Sequence, residues 1–137
     1  MTWLVERLAE LARNIEHLRA LRGRVGSAEA LRRDLSLHND VLFSLLSICQ
    51  IVIDVSGELS SRNGLRFEDY TGAVRNLAAL DEFSDELVRE LSVLPGFRNV
   101  LVHEYVTLDL SRVVEALDRL EPVESFLEIV QRMEDAG

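Results

Sequence analysis

Apolar residues recur along this chain at steps of three and four, which is the spacing of one face of an α-helix. The first stripe of this kind predicts a helix over residues 2–21, and it consists of Leu4, Leu8, Leu11, Ile15 and Leu18. Gly23 and Gly26 are expected to end this helix. Ser27 then has the hydroxyl that a helix N-cap requires, so we expect the second helix to begin there.

A second and longer stripe predicts one continuous helix over residues 28–59. It consists of Leu31, Leu35, His38, Leu42, Leu45, Cys49 and Val52. We interpret His38 on this stripe as a hydrogen-bonded histidine of the core or of an interface. The apolar stretch 41–53 is interrupted by serine and glutamine, and it is shorter than the about 20 residues that a membrane span needs. We therefore expect a core helix and no membrane association.

Three further helices are predicted in the second half of the chain. One covers residues 67–80, one begins after the cap residue Ser84, and the last begins after Asp109. Pro95 should kink or break the fourth helix, and Pro122 should bend or restart the fifth. No segment alternates with the period of two that strands require. The pattern predicts a single all-α domain over residues 1–137, an up-and-down bundle of about five helices.

The net charge of the chain limits the kinds of partner that it can bind. The chain has 137 residues, a net charge of −9 and 15 basic residues, all of them arginine. An acidic protein has no general attraction for nucleic acid, so RNA binding would depend on a local group of arginines. A cluster around the first loop could contact phosphates, but we favour a solvated face paired with local acids. It comprises Arg19, Arg22, Arg24, Arg32 and Arg33.

The number of cysteines indicates the cellular compartment in which the protein works. Cys49 is the only cysteine, so an intramolecular disulfide cannot form, as is usual in a reducing cytoplasm. The N-terminal residues also lack the pattern of a signal peptide. We therefore expect a cytoplasmic protein.

The candidate chemistry is concentrated in residues 98–105, which read Arg-Asn-Val-Leu-Val-His-Glu-Tyr. If residues 97–106 are helical, Asn99 and His103 lie four residues apart and share a face. Arg98 and Tyr105 are then two turns apart and share a neighbouring face. The helical spacing predicts that these four polar side chains form one broad surface.

These residue types suit RNA cleavage without a metal ion. A histidine exchanges protons near neutral pH, and an arginine offers a charged planar fork to phosphate oxygens. Together they could activate a ribose 2′-hydroxyl and stabilise the charge that develops on the phosphate. The sequence has no cluster of side chains at metal-ligand spacing, so no metal or cofactor is expected. The alternative is a hydrogen-bonded helix end that a partner covers.

Two features suggest further contributors to this site. One arginine and one histidine make a sparse site, so two copies facing each other in a homodimer would make a better one. Asp54 interrupts the apolar run 51–55, and a buried carboxylate needs a partner. Arg98 is one candidate for that partner. A cap, a surface position or another arginine would serve equally well.

The segment from Ile48 to about Leu117 resembles the HepT family of HEPN ribonuclease toxins. The resemblance includes Asp54 on the long second helix and the segment 67–70, Phe-Glu-Asp-Tyr, which opens the third. Its most specific part is the Arg-x4-His-x-Tyr motif at Arg98, followed by Asp109 and an apolar helix. Pro95 departs from the unbroken helix expected in the family.

This resemblance implies an α-helical bundle of the HEPN fold that dimerises with its two motifs near the interface. It implies the toxin of a type VII toxin–antitoxin system, a metal-independent endoribonuclease. Arg98 and His103 would be catalytic with the support of Asn99. Tyr105 would be adenylylated by a nucleotidyltransferase antitoxin of the MntA type. The alternative is a non-catalytic HEPN module that binds nucleotide, or that dimerises, beside a minimal nucleotidyltransferase.

Overall fold

The computed structural model describes residues 2–137, with side chains from residue 3 onward. These residues contain eight α-helices and no strand, so the all-α prediction is confirmed, although the helices are more numerous than the predicted five. They are α1 (Thr2–Leu21), α2 (Ala28–Arg33), α3 (Leu35–Arg62), α4 (Tyr70–Arg75), α5 (Asp85–Leu91), α6 (Leu94–His103), α7 (Leu110–Leu117) and α8 (Glu121–Ala136). Short 3-10 turns follow α1 at Arg22–Arg24 and α4 at Asn76–Ala79.

Helix α3 is the centre of the bundle, and α1, α4, α6 and α8 pack around it. Its length and apolar composition would allow it to cross a bilayer, but 61% of its apolar window is buried inside the protein. That burial is what the prediction of a core helix requires. Phe126 of α8 is fully buried and packs against Phe83, with ring centroids 6.0 Å apart. One continuous apolar core runs from Leu4 to Val130.

The predicted helix over residues 28–59 is in fact two helices, because Asp34 breaks it. The backbone of Asp34 is extended, and its carboxylate accepts a hydrogen bond from the Leu37 N–H at 3.1 Å. This N-cap restarts the helix in a new register. Leu35, which the predicted stripe placed in the core, is therefore 71% exposed, and Leu37 is buried instead. Helix α3 also runs to Arg62, beyond its predicted end.

The two prolines interrupt the helices at the positions that the sequence predicts. Pro95 lies in the first turn of α6, and Pro122 lies in the first turn of α8. A proline is accepted there because the first N–H groups of a helix have no intrahelical partner. The third predicted helix, 67–80, is shorter than expected. Its α-helical part covers Tyr70–Arg75 and then tightens into the 3-10 turn.

The expectation that residues 97–106 are helical is wrong at its C-terminal end. Helix α6 ends at His103, and the N–H of Glu104 makes the last helical hydrogen bond, to the Val100 carbonyl. A turn follows, closed by the Thr107 N–H donating to the Glu104 carbonyl at 3.1 Å. Asp109 then caps α7, because its carboxylate accepts from the Ser111 N–H. Residues 104–109 therefore connect α6 to α7 and belong to neither helix.

The arginines around the first loop all pair with carboxylates, as the favoured interpretation requires. Arg22 binds both oxygens of Asp118, at 2.7 and 2.9 Å, and this hydrogen bonding lowers the pKa of Asp118. The other pairs are Arg19 with Glu124, Arg24 with Asp34, and both Arg32 and Arg33 with Glu29. Arg19 and Arg22 thus join the end of α1 to α8 and to the turn before it, whereas Arg32 and Arg33 pair within α2.

Candidate active site

Helix α6 carries three of the predicted site residues, Arg98, Asn99 and His103. Leu101 is buried and attaches the helix to the core. Arg98 is half-buried, while Asn99 and His103 are exposed. Asn99 and His103 lie four residues apart in one continuous helix, so they share a face as predicted.

Three contacts fix the guanidinium of Arg98. Its Nε donates to the Gln50 side-chain oxygen at 3.0 Å, and its Nη1 donates to the Asn99 side-chain oxygen at 3.2 Å. Its Cζ lies 5.3 Å from the centre of the Tyr70 ring, a cation–π distance. An arginine has five N–H donors, and these contacts use two of them. The remaining donors stay available to a ligand.

The partner of Asp54 is Gln50, and Arg98 lies one step further along the same chain of hydrogen bonds. The Gln50 Nε2 donates to Asp54 Oδ1 at 2.8 Å, between residues one turn apart on α3. Because a carboxylate only accepts hydrogen bonds, it orients the amide with its oxygen towards Arg98. Arg98 is thus bound by a neutral amide, and its charge remains available to a phosphate.

Gln50 and Tyr70 are the two contributors that the sequence reasoning missed. Gln50 is the only residue with a long polar side chain in the run from Ile48 to Ile53, and that interruption was the available signal. Tyr70 belongs to the segment that resembles the HepT family, but nothing in the sequence assigned it a role. Both reach Arg98 from elements far away in the chain, α3 and α4.

Tyr105 does not lie on a helical face with Arg98. It stands in the turn after α6, where its side chain is 60% exposed. The helical spacing that placed it two turns from Arg98 on one surface therefore does not apply. The structure groups Arg98 with Asn99, and links Arg98 to Asp54 through Gln50. It places Tyr105 on an accessible turn just beyond His103.

An open depression of about 390 Å³ adjoins this group of residues. Its lining is formed by Asp69, Tyr70, Thr71, Pro95 and Asn99. A larger cavity, of about 640 Å³, lies on the side of α6 that carries Leu94 and Phe97. Its lining includes Cys49 but not Arg98, Asn99 or His103, so it is separate from the candidate site.

The described residues offer little other reactive chemistry, either as a nucleophile or as a metal site. Burial raises the pKa of the Cys49 thiol to about 12, so this group is protonated at neutral pH and is a poor nucleophile. Between residues 2 and 137, no three side chains of His, Cys, Asp or Glu come together to form a metal-ion site. What α6 presents is an exposed imidazole at His103 and, at Arg98, a guanidinium held by two amide oxygens.

Sequence comparison places these residues within a family. A family model described as Ribonuclease HepT-like matches residues 11–130, a longer stretch than the resemblance from Ile48 to Leu117. The mRNA nuclease HepT of Shewanella oneidensis is 23% identical over 134 residues, which cover 93% of this chain and 96% of that protein. A candidate RNase of Archaeoglobus fulgidus is 32% identical over 95 residues, which cover 69% of this chain and 70% of that protein.

Solved structures show the same fold. A toxin–antitoxin structure with AMP-PNP superposes with a TM-score of 0.84 at 22% identity, over 96% of this chain and 99% of the matched chain. A tri-AMPylated HEPN toxin of Shewanella oneidensis in complex with an MNT antitoxin gives a TM-score of 0.81 at 23% identity. That match covers 94% of this chain and 96% of the other. The similarity establishes a common helical architecture.

Proposed function

This chain belongs to the HepT-like ribonuclease family, and we propose that it is the toxin of a type VII toxin–antitoxin pair that cleaves RNA. The observation that carries the proposal is the arrangement on α6, where Arg98 is held by an amide and His103 is exposed on the same helix. Asn99 supports Arg98 through its side-chain oxygen. The net charge of −9 gives no general attraction for RNA, so binding depends on this local site.

The reaction we propose is an internal transfer that needs neither a metal ion nor a cofactor. His103 takes the proton from a ribose 2′-hydroxyl, and the 2′-oxygen attacks the adjacent phosphorus. Arg98 donates hydrogen bonds to the phosphate oxygens, where negative charge develops. The bond from phosphorus to the 5′-oxygen breaks, that oxygen takes up a proton from water, and His103 releases its proton to the solvent. The products are a 2′,3′-cyclic phosphate end and a 5′-hydroxyl end.

We propose that two copies form a homodimer around this site. Phe43 lies seven residues before Gln50 on α3, so the two share a face about 10 Å apart. Phe43 is nevertheless 69% exposed, which is unusual for a large apolar side chain in the middle of a core helix. A second copy packed on this face would cover Phe43 and bring the two motif helices close to the two-fold axis.

The variant Phe43→Asp should separate this dimer. A two-fold axis makes every interface substitution act twice, and a central aromatic contact contributes about 2 kcal/mol or more. The dimer dissociation constant should therefore rise by about a thousandfold, and light scattering with sedimentation would measure it. Val5→Asp is the matched control, because Val5 is also exposed but lies on α1. A dimer that Phe43→Asp leaves intact would contradict this interface.

We propose that Tyr105 is the point of control, adenylylated by an MntA-type nucleotidyltransferase antitoxin. The solved relative that is tri-AMPylated and complexed with an MNT antitoxin supports this, as does the exposed turn that carries Tyr105. A phenol on such a turn is accessible to a modifying enzyme without any unfolding. The added phosphodiester would place an anion on the turn just beyond His103, where it would repel the phosphates of an approaching RNA strand.

The variant Tyr105→Phe separates catalysis from control. It lacks only the hydroxyl that would accept AMP, so its RNA cleavage should stay within about twofold of the wild type. It should, however, escape neutralisation when it is incubated with the antitoxin and ATP. Mass spectrometry should find AMP on Tyr105 of the wild type and no AMP on the variant. AMP on another residue, or a silenced phenylalanine variant, would contradict the assignment.

The net acidity favours a second candidate, a non-catalytic HEPN module that binds nucleotide or dimerises beside a nucleotidyltransferase. Expression of the chain without a partner distinguishes the two. A toxin should arrest bacterial growth and deplete cellular mRNA, and co-expression of the nucleotidyltransferase should restore growth. A non-catalytic module should leave growth and mRNA unchanged.

Two further predictions belong to this proposal. The continuous core from Leu4 to Val130 supports a single domain over residues 1–137. A single buried cysteine suits the reducing cytoplasm, where the RNA substrate and the antitoxin would be found.

A further inference from the structure

The depression beside Arg98 is bordered by the ring of Tyr70, by Pro95 and by three polar residues, Asp69, Thr71 and Asn99. We propose that Tyr70 stacks against a base of the RNA substrate, next to the phosphate that Arg98 binds. This inference rests on the proposed ribonuclease function and identifies a binding subsite for its substrate. Tyr70 would then contribute to the affinity for RNA, while Arg98 and His103 carry out the reaction.

Tyr70 occupies a firmly held position. It is the first residue of α4, and the preceding Asp69 caps that helix by accepting a hydrogen bond from the Gly72 N–H at 2.7 Å. Asn76 donates to the Arg66 carbonyl at 3.0 Å and to the Ser60 hydroxyl at 3.2 Å, which attaches this segment to α3. An aromatic ring fixed in this way loses little freedom when a ligand stacks on it.

The ring is also accessible and suitably placed. Tyr70 is 43% exposed, although it contacts the guanidinium of Arg98. The depression that it borders has a volume of about 390 Å³, within the range of about 300–1,000 Å³ usual for small-molecule sites. Pro95 gives this depression a second apolar wall. Thr71 and Asn99 also border it, and their side chains carry the hydrogen-bonding groups that could read the edge of a base.

The pairing of these two groups points to a nucleotide. A phosphate on the free donors of Arg98 and a base on the adjacent ring would be neighbouring parts of one RNA strand. Stacking on an aromatic ring accepts every base, because each has a π-face, so this subsite would add affinity with little preference among the bases. The adenine of an attached AMP has the same chemistry, so an experiment must distinguish the two sources. A third possible outcome is that the contact between Tyr70 and Arg98 serves only to hold Arg98 in place.

The test measures binding, so that it does not depend on cleavage. The probe is a fluorescent 2′-fluoro RNA, which has no 2′-hydroxyl to react, together with a series in which one base at a time is replaced by an abasic sugar. For the wild type, removal of the base that stacks on Tyr70 should raise the Kd on the order of 5- to 150-fold. Tyr70→Ala should show the same rise on the intact RNA and no further rise on that abasic RNA. Tyr70→Phe keeps the ring and should match the wild type.

Several results would overturn the proposal. Equal losses from Tyr70→Ala on the intact RNA and on every abasic RNA would mean that Tyr70 acts only by holding Arg98. An unchanged Kd for Tyr70→Ala would mean that the ring contributes nothing. Binding of free AMP that depends on Tyr70, without a matching dependence for RNA, would assign the depression to the adenylate. Cleavage of the all-ribose RNA is measured separately, so a failure of the ribonuclease function would be seen independently.

Discussion

Replacing His103 with alanine should lower the rate of RNA cleavage by about 10²–10⁴-fold, the usual contribution of a general acid–base group. The imidazole is the proton acceptor in the proposed reaction, and nothing else on α6 can replace it at neutral pH. Because His103 is exposed at the end of its helix, its removal should leave the fold intact. The variant should therefore unfold at nearly the same temperature as the wild type, and its expression should no longer arrest growth.

His17→Ala is the matched control for this variant. His17 is also exposed, but it lies on α1 and pairs with Asp40 of α3, at 2.8 Å between Nε2 and Oδ1. Its cleavage rate should equal that of the wild type. If His103→Ala cleaves RNA as fast as His17→Ala does, the catalytic assignment of His103 is wrong.

Replacing Arg98 with alanine should lower the cleavage rate by about 10²–10³-fold, since it removes the donors that stabilise the charge on the phosphate. Arg98→Lys keeps the positive charge but loses the planar fork and the hydrogen bond from Nε to Gln50. Its rate should fall between those of the wild type and Arg98→Ala. The ordering of these three rates, measured on one RNA substrate, tests whether the geometry of Arg98 matters as well as its charge.

Arg112 offers a matched control for Arg98. It also lies near an aromatic ring, with its Cζ 6.0 Å from the centre of Phe97, and it lines the separate, larger cavity. Arg112→Ala should keep wild-type activity. Equal losses from Arg98→Ala and Arg112→Ala would indicate a general effect of positive charge on RNA binding and would remove the case for a specific site.

The sequence predicted a helix boundary correctly where residues close to that boundary determine it. Helix α1 has the predicted bounds, because an uninterrupted stripe defines it and glycines follow it. The start of α3 was missed because one hydrogen bond from Asp34 resets the register within a continuous apolar pattern. The end of α6 was missed because residues 104–108 contain no glycine or proline to mark it, although the cap of the next helix at Asp109 was predicted.

The same distinction between local and distant contacts applies to the candidate site. The spacing of Asn99 and His103 depends only on their helix, and the sequence was sufficient to predict it. The environment of Arg98 depends on α3 and α4, which the fold brings to it from 48 and 28 positions away. The four-residue spacing of Gln50 and Asp54 is a local signal for their hydrogen bond. No local pattern indicates that Gln50 would also reach Arg98, so the sequence left the partner of Asp54 open.

The most direct test of the proposed reaction is cleavage of RNA by the purified protein in excess EDTA. Cleavage should be undiminished and should leave 2′,3′-cyclic phosphate and 5′-hydroxyl ends, and it should not occur where the reacting ribose is replaced by 2′-deoxyribose. A parallel preparation of His103→Ala controls for contaminating ribonucleases. Loss of cleavage in EDTA that added metal restores, or products with 3′-hydroxyl and 5′-phosphate ends, would contradict the proposed reaction.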